Sequence, residues 1–190
     1  MNKTVKLLHV LEQRVVDADI LDLSIKHLTD FDTFWKPRLQ PSAEQDRHWD
    51  WVNKYLKLTT PNYERYALEC ETITQGLMLL ELDFHRSRLE PGKSLIYIDY
   101  LVTAPWNRPS IQNPPLYKGV GSSLFSFAIK RSLDIGYKGR LGLHALPLAE
   151  KYYLKLGMDD FGSDSEKQDL KYFELTSGKA LEIISRGWQI

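Results

Sequence analysis

The nine residues Leu95–Thr103, with the sequence LIYIDYLVT, constrain the fold more than any other part of the chain. All of them except Asp99 are apolar, aromatic or β-branched, which is typical of a β-strand that is buried on both faces. A glycine-led helix, a strand, a second helix and a late strand follow along the chain. This alternation predicts an α/β arrangement.

Apolar spacing and helix-ending residues place these later elements. A helix begins at Gly119-Val120-Gly121, runs to about Ile135 and is terminated by Gly136. The elements after it are predicted as a strand at Arg140–Leu146, a helix at Leu148–Leu156, a strand at Gln168–Leu175 and a short helix at Lys179–Ser185.

The first half of the chain is richer in consecutive strands, so we expect a mixed, mostly antiparallel sheet flanked by helices. Predicted strands lie at Thr4–Leu11, Tyr63–Cys70 and Thr72–His85. Predicted helices lie at Ala18–Leu28 and Ser42–Leu58, the second with Ser42 as its N-cap. The pattern over Asp30–Pro41 assigns neither a helix nor a strand.

The composition excludes several classes of protein. The chain has 190 residues, 43% of them hydrophobic and 26% charged, the balance of a globular protein, and we expect one domain over residues 1–190. Lys and Arg together number 25, as do Asp and Glu, so no net charge favours nucleic acid as a partner. The five histidines and the single cysteine, Cys70, show neither metal-ligand spacing nor a disulfide pair. Because no signal peptide or long apolar run is present, we expect a cytoplasmic protein that contacts no membrane.

The segment YKGVGSSL, Tyr117–Leu124, contains the strongest candidate for a binding site. Two glycines allow close backbone approach, and the N–H groups of the first helical turn point at one spot where the helix dipole favours anions. The segment therefore predicts a phosphate-binding loop. A tight turn that uses glycine only as a connector is an equally good explanation of the short motif alone.

Four segments together resemble the GNAT acetyltransferase superfamily: LIYIDYLVTAP, KGVGSSLFSFAIKRSLDIG, GRLGLHAL and LAEKYYLKLGM. The resemblance covers Leu95–Met158, about a third of the chain. The Gly-x-Gly helix start looks like the family's pyrophosphate loop for acetyl-CoA. The stretch from Ala149 through Tyr153 to Gly157 looks like its "A…Y-x-x-x-G-F" helix. The resemblance implies a single GNAT-like domain that uses acetyl-CoA as co-substrate.

The resemblance also implies roles for single residues. Asp99 takes the place of the acidic group that accepts the amine proton, and Tyr153 matches the tyrosine that protonates the departing CoA thiolate. The backbone of Leu101 and Thr103 would hold the pantetheine and polarise the thioester carbonyl. The backbone N–H groups that would bind the pyrophosphate belong to Lys118, Gly119, Val120, Gly121, Ser122 and Ser123.

Structural explanations compete with both catalytic assignments. A carboxylate in an apolar strand must be paired, solvated or protonated, so Asp99 is also explained as a group that holds a neighbouring backbone or arginine. Tyr153 is also explained as an aromatic packing residue, and Tyr152 beside it competes for either role.

Three departures from the family pattern bear on the site. Leu116 and Leu146 stand where relatives often carry polar residues, which removes two supplementary contacts. The 14 positions that separate Pro105 from Gly119 are about twice the family's usual connection. We expect this insertion to form a wall of the acceptor site, or else a surface loop that covers the sheet edge or packs against a second subunit.

Three side chains are candidates for contact with the acceptor. Trp106 offers an apolar face, and Arg108 offers a fork for a carboxylate or phosphate on the acceptor. His144 lies near the end of its strand, where a satisfied core histidine is the competing explanation.

The sequence as a whole predicts an N-acetyltransferase that transfers acetyl from acetyl-CoA to a primary amine, by direct transfer in a ternary complex and without a metal. The amine belongs to a small molecule or a peptide, and a homodimer is one open oligomeric state. Two alternatives remain: a catalytically weak GNAT-fold module that binds acyl-CoA or a partner, and a toxin-like enzyme that acetylates aminoacyl-tRNA.

Overall fold

The structure, a computed structural model, describes residues 3–186, which divide into two compact units. The first unit contains residues 3–79 and 100–124, and the second contains residues 80–99 and 125–186. The single domain over residues 1–190 stays a prediction.

Nine strands of the described chain form one mixed sheet flanked by helices, which confirms the expected fold class. The strands are β1 (Lys3–His9), β2 (Arg14–Asp22), β3 (Tyr63–Cys70), β4 (Ile73–Glu81), β5 (Ile96–Thr103), β6 (Tyr117–Lys118), β7 (Leu141–Ala145), β8 (Asp159–Asp164) and β9 (Leu170–Leu175). Their order across the sheet is β6-β1-β2-β3-β4-β5-β7-β9-β8. β5 runs parallel to β7, whereas β1–β2, β1–β6, β2–β3, β7–β9 and β8–β9 are antiparallel pairs.

Six α-helices accompany these strands in residues 3–186. They are α1 (Ile25–Asp30), α2 (Lys36–Leu39), α3 (Trp51–Lys57), α4 (Val120–Asp134), α5 (Glu150–Lys155) and α6 (Ser177–Arg186). A π-helical turn at Phe31–Trp35 joins α1 directly to α2, so the stretch that the sequence left unassigned is helical. The predicted helices near α4, α5 and α6 are confirmed to within a few residues.

The helix predicted at Ala18–Leu28 is wrong, because its first part is β2. Val16, Ala18 and Ile20 are buried and alternate with exposed residues, which is the period of a strand that faces the core on one side. β2 pairs with both β1 and β3, and helix α1 begins only after Ser24.

The helix predicted at Ser42–Leu58 is also wrong over its first half. Helix α3 begins at Trp51, and its N-cap is Asp50, whose side chain accepts a hydrogen bond from the Asn53 N–H. The Ser42 hydroxyl instead donates to the Leu39 carbonyl. Buried ion pairs to residues 44 and 46, described below, hold this segment in turns and override its helical pattern.

The sequence missed two edge strands. β8 reads DDFGSD and has no buried position, so it lacks the apolar alternation by which strands are identified. β6 has only two residues, and it pairs with β1 at the end of the 105–118 insertion. The end of the insertion therefore adds a short edge strand to the sheet beside β1, and its role in acceptor binding stays a prediction.

Candidate functional site

The N-terminus of helix α4 contains the predicted phosphate-binding loop. Gly119 has φ +98°, a conformation that favours glycine, and its carbonyl accepts the first helical hydrogen bond from the Ser123 N–H at 2.8 Å. The N–H groups of Val120, Gly121 and Ser122 precede that bond and have no carbonyl four residues earlier within the helix. The loop thus presents consecutive backbone donors at the positive end of a 15-residue helix.

The space beside Gly121 in this turn is open, whereas α4 packs closely against the sheet at Gly76. A Cβ atom added to Gly121 would meet only the Thr103 Cγ2 atom within 4 Å, at 3.7 Å. A Cβ atom on Gly76 of β4 would lie 2.7 Å from Leu124 and 2.9 Å from Val120. Glycine at position 76 therefore lets α4 pack closely on the sheet, while glycine at position 121 faces free space.

The other residues predicted to contact acetyl-CoA lie on β5 and around the same turn. Leu101 and Thr103 are half-buried on β5. Lys118 is exposed, and the Ser123 side chain is buried in the first turn of α4. All of these residues belong to the first unit.

Trp106 packs into the core of the first unit. Its indole is 7% exposed, and the Nε1–H donates to Gln75 Oε1 at 2.7 Å. The Asn107 side-chain amide donates to the same oxygen at 2.9 Å, and the Arg38 guanidinium lies 5.3 Å from the indole ring. The tryptophan is thus fixed in orientation, with one part of its surface left for a cleft.

That cleft has a volume of about 440 Å³ and lies within the first unit. Its wall is mainly apolar, with an arginine at one side. The lining residues are Thr33, Phe34, Pro37, Arg38, Ile73, Trp106, Gln112 and Leu116. The π-helical turn and the 105–118 insertion therefore both contribute residues to one concave surface.

The Arg108 guanidinium forms hydrogen bonds with other residues of the first unit. Its Nη1 donates to Glu44 at 2.9 Å and to Asp46 at 2.7 Å, its Nη2 donates to the other Asp46 oxygen at 2.7 Å, and its Nε donates to the Thr103 carbonyl at 2.9 Å. Burial lowers the pKa of Arg108, but these carboxylates more than offset that effect and raise it. Four of its five N–H groups are thereby used, and its contact with an acceptor stays a prediction.

The predicted catalytic residues Asp99 and Tyr153 lie in the second unit. Asp99 is half-buried on β5. Tyr153 is buried on α5, where its ring packs against Phe125 and Phe173. Burial raises the pKa of the Tyr153 phenol, so the hydroxyl stays protonated at neutral pH.

His144, also in the second unit, is hydrogen-bonded through both ring nitrogens. Its Nδ1 lies 2.7 Å from the Tyr97 hydroxyl, and its Nε2 lies 3.1 Å from Asp164 Oδ2. Burial lowers the pKa of His144, and the Asp164 carboxylate partly opposes that shift. The imidazole is therefore neutral at pH 7, with a carboxylate placed to stabilise the imidazolium.

The partners of the predicted residues that sequence reasoning missed include Asp46, Tyr97 and Asp164. Strand alternation places Tyr97 on the same face as Asp99, so the pattern contained a signal for it. Asp46 and Asp164 lie in polar segments that give no comparable signal.

Two further properties concern metals and membranes. Among residues 3–186, no three His, Cys, Asp or Glu side chains come together in a group that could hold a metal ion. No helix in this part of the chain is long and apolar enough to cross a membrane.

Neither a protein-family model nor a curated protein sequence matches the chain. Solved structures do match it. The N-acyl amino acid synthase FeeM from uncultured soil microbes superposes with a TM-score of 0.57 at 13% identity. The superposition covers 87% of this chain and 92% of FeeM.

Two further structures represent other activities. A mutant of the toxin AtaT, bound to the C-terminus of the antitoxin AtaR, gives a TM-score of 0.54 at 16% identity, with 91% of this chain and 100% of AtaT covered. The aminoglycoside N-acetyltransferase AAC(6')-Iy, in complex with CoA, gives a TM-score of 0.50 at 14% identity, with 74% of this chain and 86% of AAC(6')-Iy covered. At these identities the superpositions establish a shared fold, and it is the fold that the resemblance to the GNAT acetyltransferase superfamily implied.

Proposed function

We propose that the protein is an N-acetyltransferase that moves the acetyl group of acetyl-CoA to a primary amine. The open N-terminus of α4 carries this proposal. Gly121 faces space in which only the Thr103 methyl group lies within 4 Å of an added Cβ atom. A bulky anionic group fits such a place, because backbone donors surround it and no side chain fills it.

The pyrophosphate of acetyl-CoA matches this loop in charge. The N–H groups over 118–123 are the proposed donors, and the positive end of the α4 dipole adds attraction for the anion. The backbone of Leu101 and Thr103 on β5 is proposed to hold the pantetheine arm and to polarise the thioester carbonyl. Acetyl-CoA itself would supply an activated acyl group. The protein then needs only to position the amine, remove its proton and protonate the departing thiolate.

Asp99 is the proposed base. An alkyl amine has a pKa of about 10.4, so at neutral pH most of it is protonated and cannot attack a carbonyl. A carboxylate on β5 can accept that proton, directly or through a water molecule. Tyr153 is the proposed acid, since its raised pKa keeps a proton available for the departing thiolate.

The loop is tested by a valine at position 121, with a matched control in another helix. Gly121 is the second residue of α4, and Gly178 is the second residue of α6, with no atom within 4 Å of an added Cβ. The two substitutions thus carry similar costs in helix propensity. We expect Gly121→Val to weaken CoA binding by about tenfold or more, roughly 1.4 kcal/mol, and Gly178→Val to leave it unchanged. Calorimetry with CoA measures both.

Equal CoA affinity in the two variants, each with a normal circular dichroism spectrum, would remove the loop from the proposal. Turnover on a panel of amines, with release of free CoA thiol as the readout, then separates an enzyme from a catalytically weak acyl-CoA-binding module.

The toxin AtaT as a structural neighbour supports a second candidate function, acetylation of aminoacyl-tRNA. The zero net charge of the chain argues against it, because tRNA binding normally requires a basic surface. Incubation with aminoacyl-tRNA and radiolabelled acetyl-CoA tests whether tRNA is the acceptor. Label that co-precipitates with tRNA at physiological salt would favour this second function over a small-molecule or peptide acceptor.

A further inference from the structure

A chain of hydrogen bonds crosses the second unit from β5 to β8. The Tyr97 hydroxyl and His144 Nδ1 are 2.7 Å apart, and His144 Nε2 and Asp164 Oδ2 are 3.1 Å apart. Tyr97 is 3% exposed, the His144 side chain is 7% exposed, and the Asp164 side chain is 21% exposed. The chain therefore begins at a buried phenol and ends at a carboxylate that reaches solvent.

The direction of the hydrogen bonds follows from the carboxylate. An ionised Asp164 can only accept, so His144 carries its proton on Nε2 and donates it there. Nδ1 is then the acceptor, and the Tyr97 hydroxyl donates to it. This order of hydroxyl, imidazole and carboxylate is the one in which an imidazole takes a proton from a hydroxyl and the carboxylate stabilises the resulting cation.

Tyr97 is held in place from its other side. The His85 ring stacks on it with centroids 4.1 Å apart, and His85 Nε2 is 2.8 Å from Glu81 Oε2. Tyr97 precedes the proposed base, Asp99, by two residues on β5, so the two side chains share a face of the strand. Their Cα atoms are about 7 Å apart along the strand, and the proposal below places water between the two side chains.

We propose that Tyr97, His144 and Asp164 form a proton relay that discharges Asp99 after it has taken the proton of the acceptor amine. The relay's role rests on the acetyltransferase activity proposed above. The proton on Asp99 passes through water to the Tyr97 oxygen while the Tyr97 proton moves to His144 Nδ1. The Nε2 proton then leaves through Asp164 to solvent, which leaves the neutral ring protonated on Nδ1. After the product has left, return of a solvent proton to Nε2 and release of the Nδ1 proton through the Tyr97 hydroxyl to water restore the starting tautomer. Each transfer breaks one O–H or N–H bond and forms another, and nothing is oxidised or reduced.

The charges around His144 suit this role. Asp164 favours the imidazolium, whereas Lys167 and Arg88 disfavour it, and burial keeps the resting ring neutral. Tyr172 also faces the imidazole, with ring centroids 5.1 Å apart, but its hydroxyl donates to Glu174. His144 is thus poised to accept a proton on one nitrogen and to lose one from the other to a carboxylate that reaches solvent.

Two variants and one control test the relay. His144→Gln keeps a polar side chain but cannot carry a proton, and Asp164→Asn removes only the charge. Tyr172→Phe removes a hydroxyl from the same cluster without interrupting the relay. The acceptor is the most active compound among spermidine, glycine, kanamycin and a lysine peptide. The readouts are kcat from about pH 6 to pH 10 and the Kd for CoA.

We expect His144→Gln to lower kcat by about 10- to 100-fold at pH 7 without a change in the Kd for CoA. The loss should shrink as the pH rises, because more of the amine is then unprotonated and needs no base. Asp164→Asn should give a smaller loss with the same pH dependence, and it keeps the test decisive if the glutamine variant does not fold. Tyr172→Phe should retain wild-type kcat.

An unchanged kcat in the His144 and Asp164 variants, or an equal loss at every pH, would overturn the relay while leaving the acetyltransferase intact. A wild-type protein that binds no CoA and acetylates no amine of the panel would instead overturn the proposed function, and the relay with it. The two failures are therefore distinguishable in one set of assays.

Discussion

Arg108 binds both carboxylate oxygens of Asp46, with Nη1–Oδ1 and Nη2–Oδ2 distances of 2.7 Å each. Both side chains are almost completely buried, at 11% and 7% exposed. The pair ties the 105–118 insertion to the turns before α3, two segments that are 62 residues apart in sequence. It therefore explains why residues 42–50 form turns instead of the first half of a helix.

We predict that breaking this pair strongly destabilises the first unit. Asp46→Asn removes the carboxylate that binds Arg108 through two hydrogen bonds and leaves Glu44 as the remaining charged partner. Loss of one member of a buried ion pair costs about 3–5 kcal/mol. Replacing all three charged residues with apolar ones, as in Glu44→Leu and Asp46→Leu with Arg108→Met, should cost less than Asp46→Asn alone. Urea denaturation of both variants measures the free energy of unfolding.

The exposed pair of Lys6 and Asp17 is the control for this measurement. Their side chains are 61% and 64% exposed, so Asp17→Asn should change the free energy of unfolding by less than about 1 kcal/mol. A cost for Asp46→Asn as small as that for Asp17→Asn would show that the buried pair does not hold the insertion.

Tyr153→Phe tests the proposed acid. The phenylalanine ring keeps the packing against Phe125 and Phe173, but it has no proton for the thiolate, whose ordinary pKa is about 8.5. We expect kcat to fall by about 10²- to 10⁴-fold with little change in the Kd for CoA. Steady-state turnover at saturating acetyl-CoA and calorimetry measure the two quantities.

Tyr152→Phe is the matched control, because its ring contacts Tyr153 at 5.4 Å between centroids. It should retain kcat. The reverse result, an active Tyr153→Phe and an inactive Tyr152→Phe, would assign the acid to Tyr152 instead.

The sequence predicted the elements whose patterns are local. The continuous apolar run of β5 and the glycines that flank α4 identify those elements without reference to the rest of the chain. β2 was mistaken for a helix because Ala18, Ile20 and Leu21 satisfy helical spacing as well, and only pairing with β1 and β3 selects the strand. β8 has no apolar pattern and forms because β9 offers it an edge.

The candidate site was predictable where backbone conformation decides it and less so where side chains meet across the chain. Gly119 and Gly121 are recognisable from spacing alone. The partners of Arg108 and His144 are not, since Asp46 is 62 residues and Asp164 is 20 residues away in sequence. Only the folded chain shows that Arg108 and His144 each have a carboxylate at hydrogen-bond distance.

The cleft between the π-helical turn and the insertion is the predicted acceptor site within the first unit. Phe34 lines it and is 44% exposed, so Phe34→Ala should remove apolar contact with a bound molecule at little cost in stability. We expect a rise of about 5- to 20-fold in the KM of the acceptor, the effect of one lost apolar contact, with the Kd for CoA unchanged. Leu11→Ala, at a leucine 67% exposed and outside the cleft, should leave both constants as they are. An unchanged acceptor KM in Phe34→Ala, or an equal rise in Leu11→Ala, would place the acceptor outside this cleft.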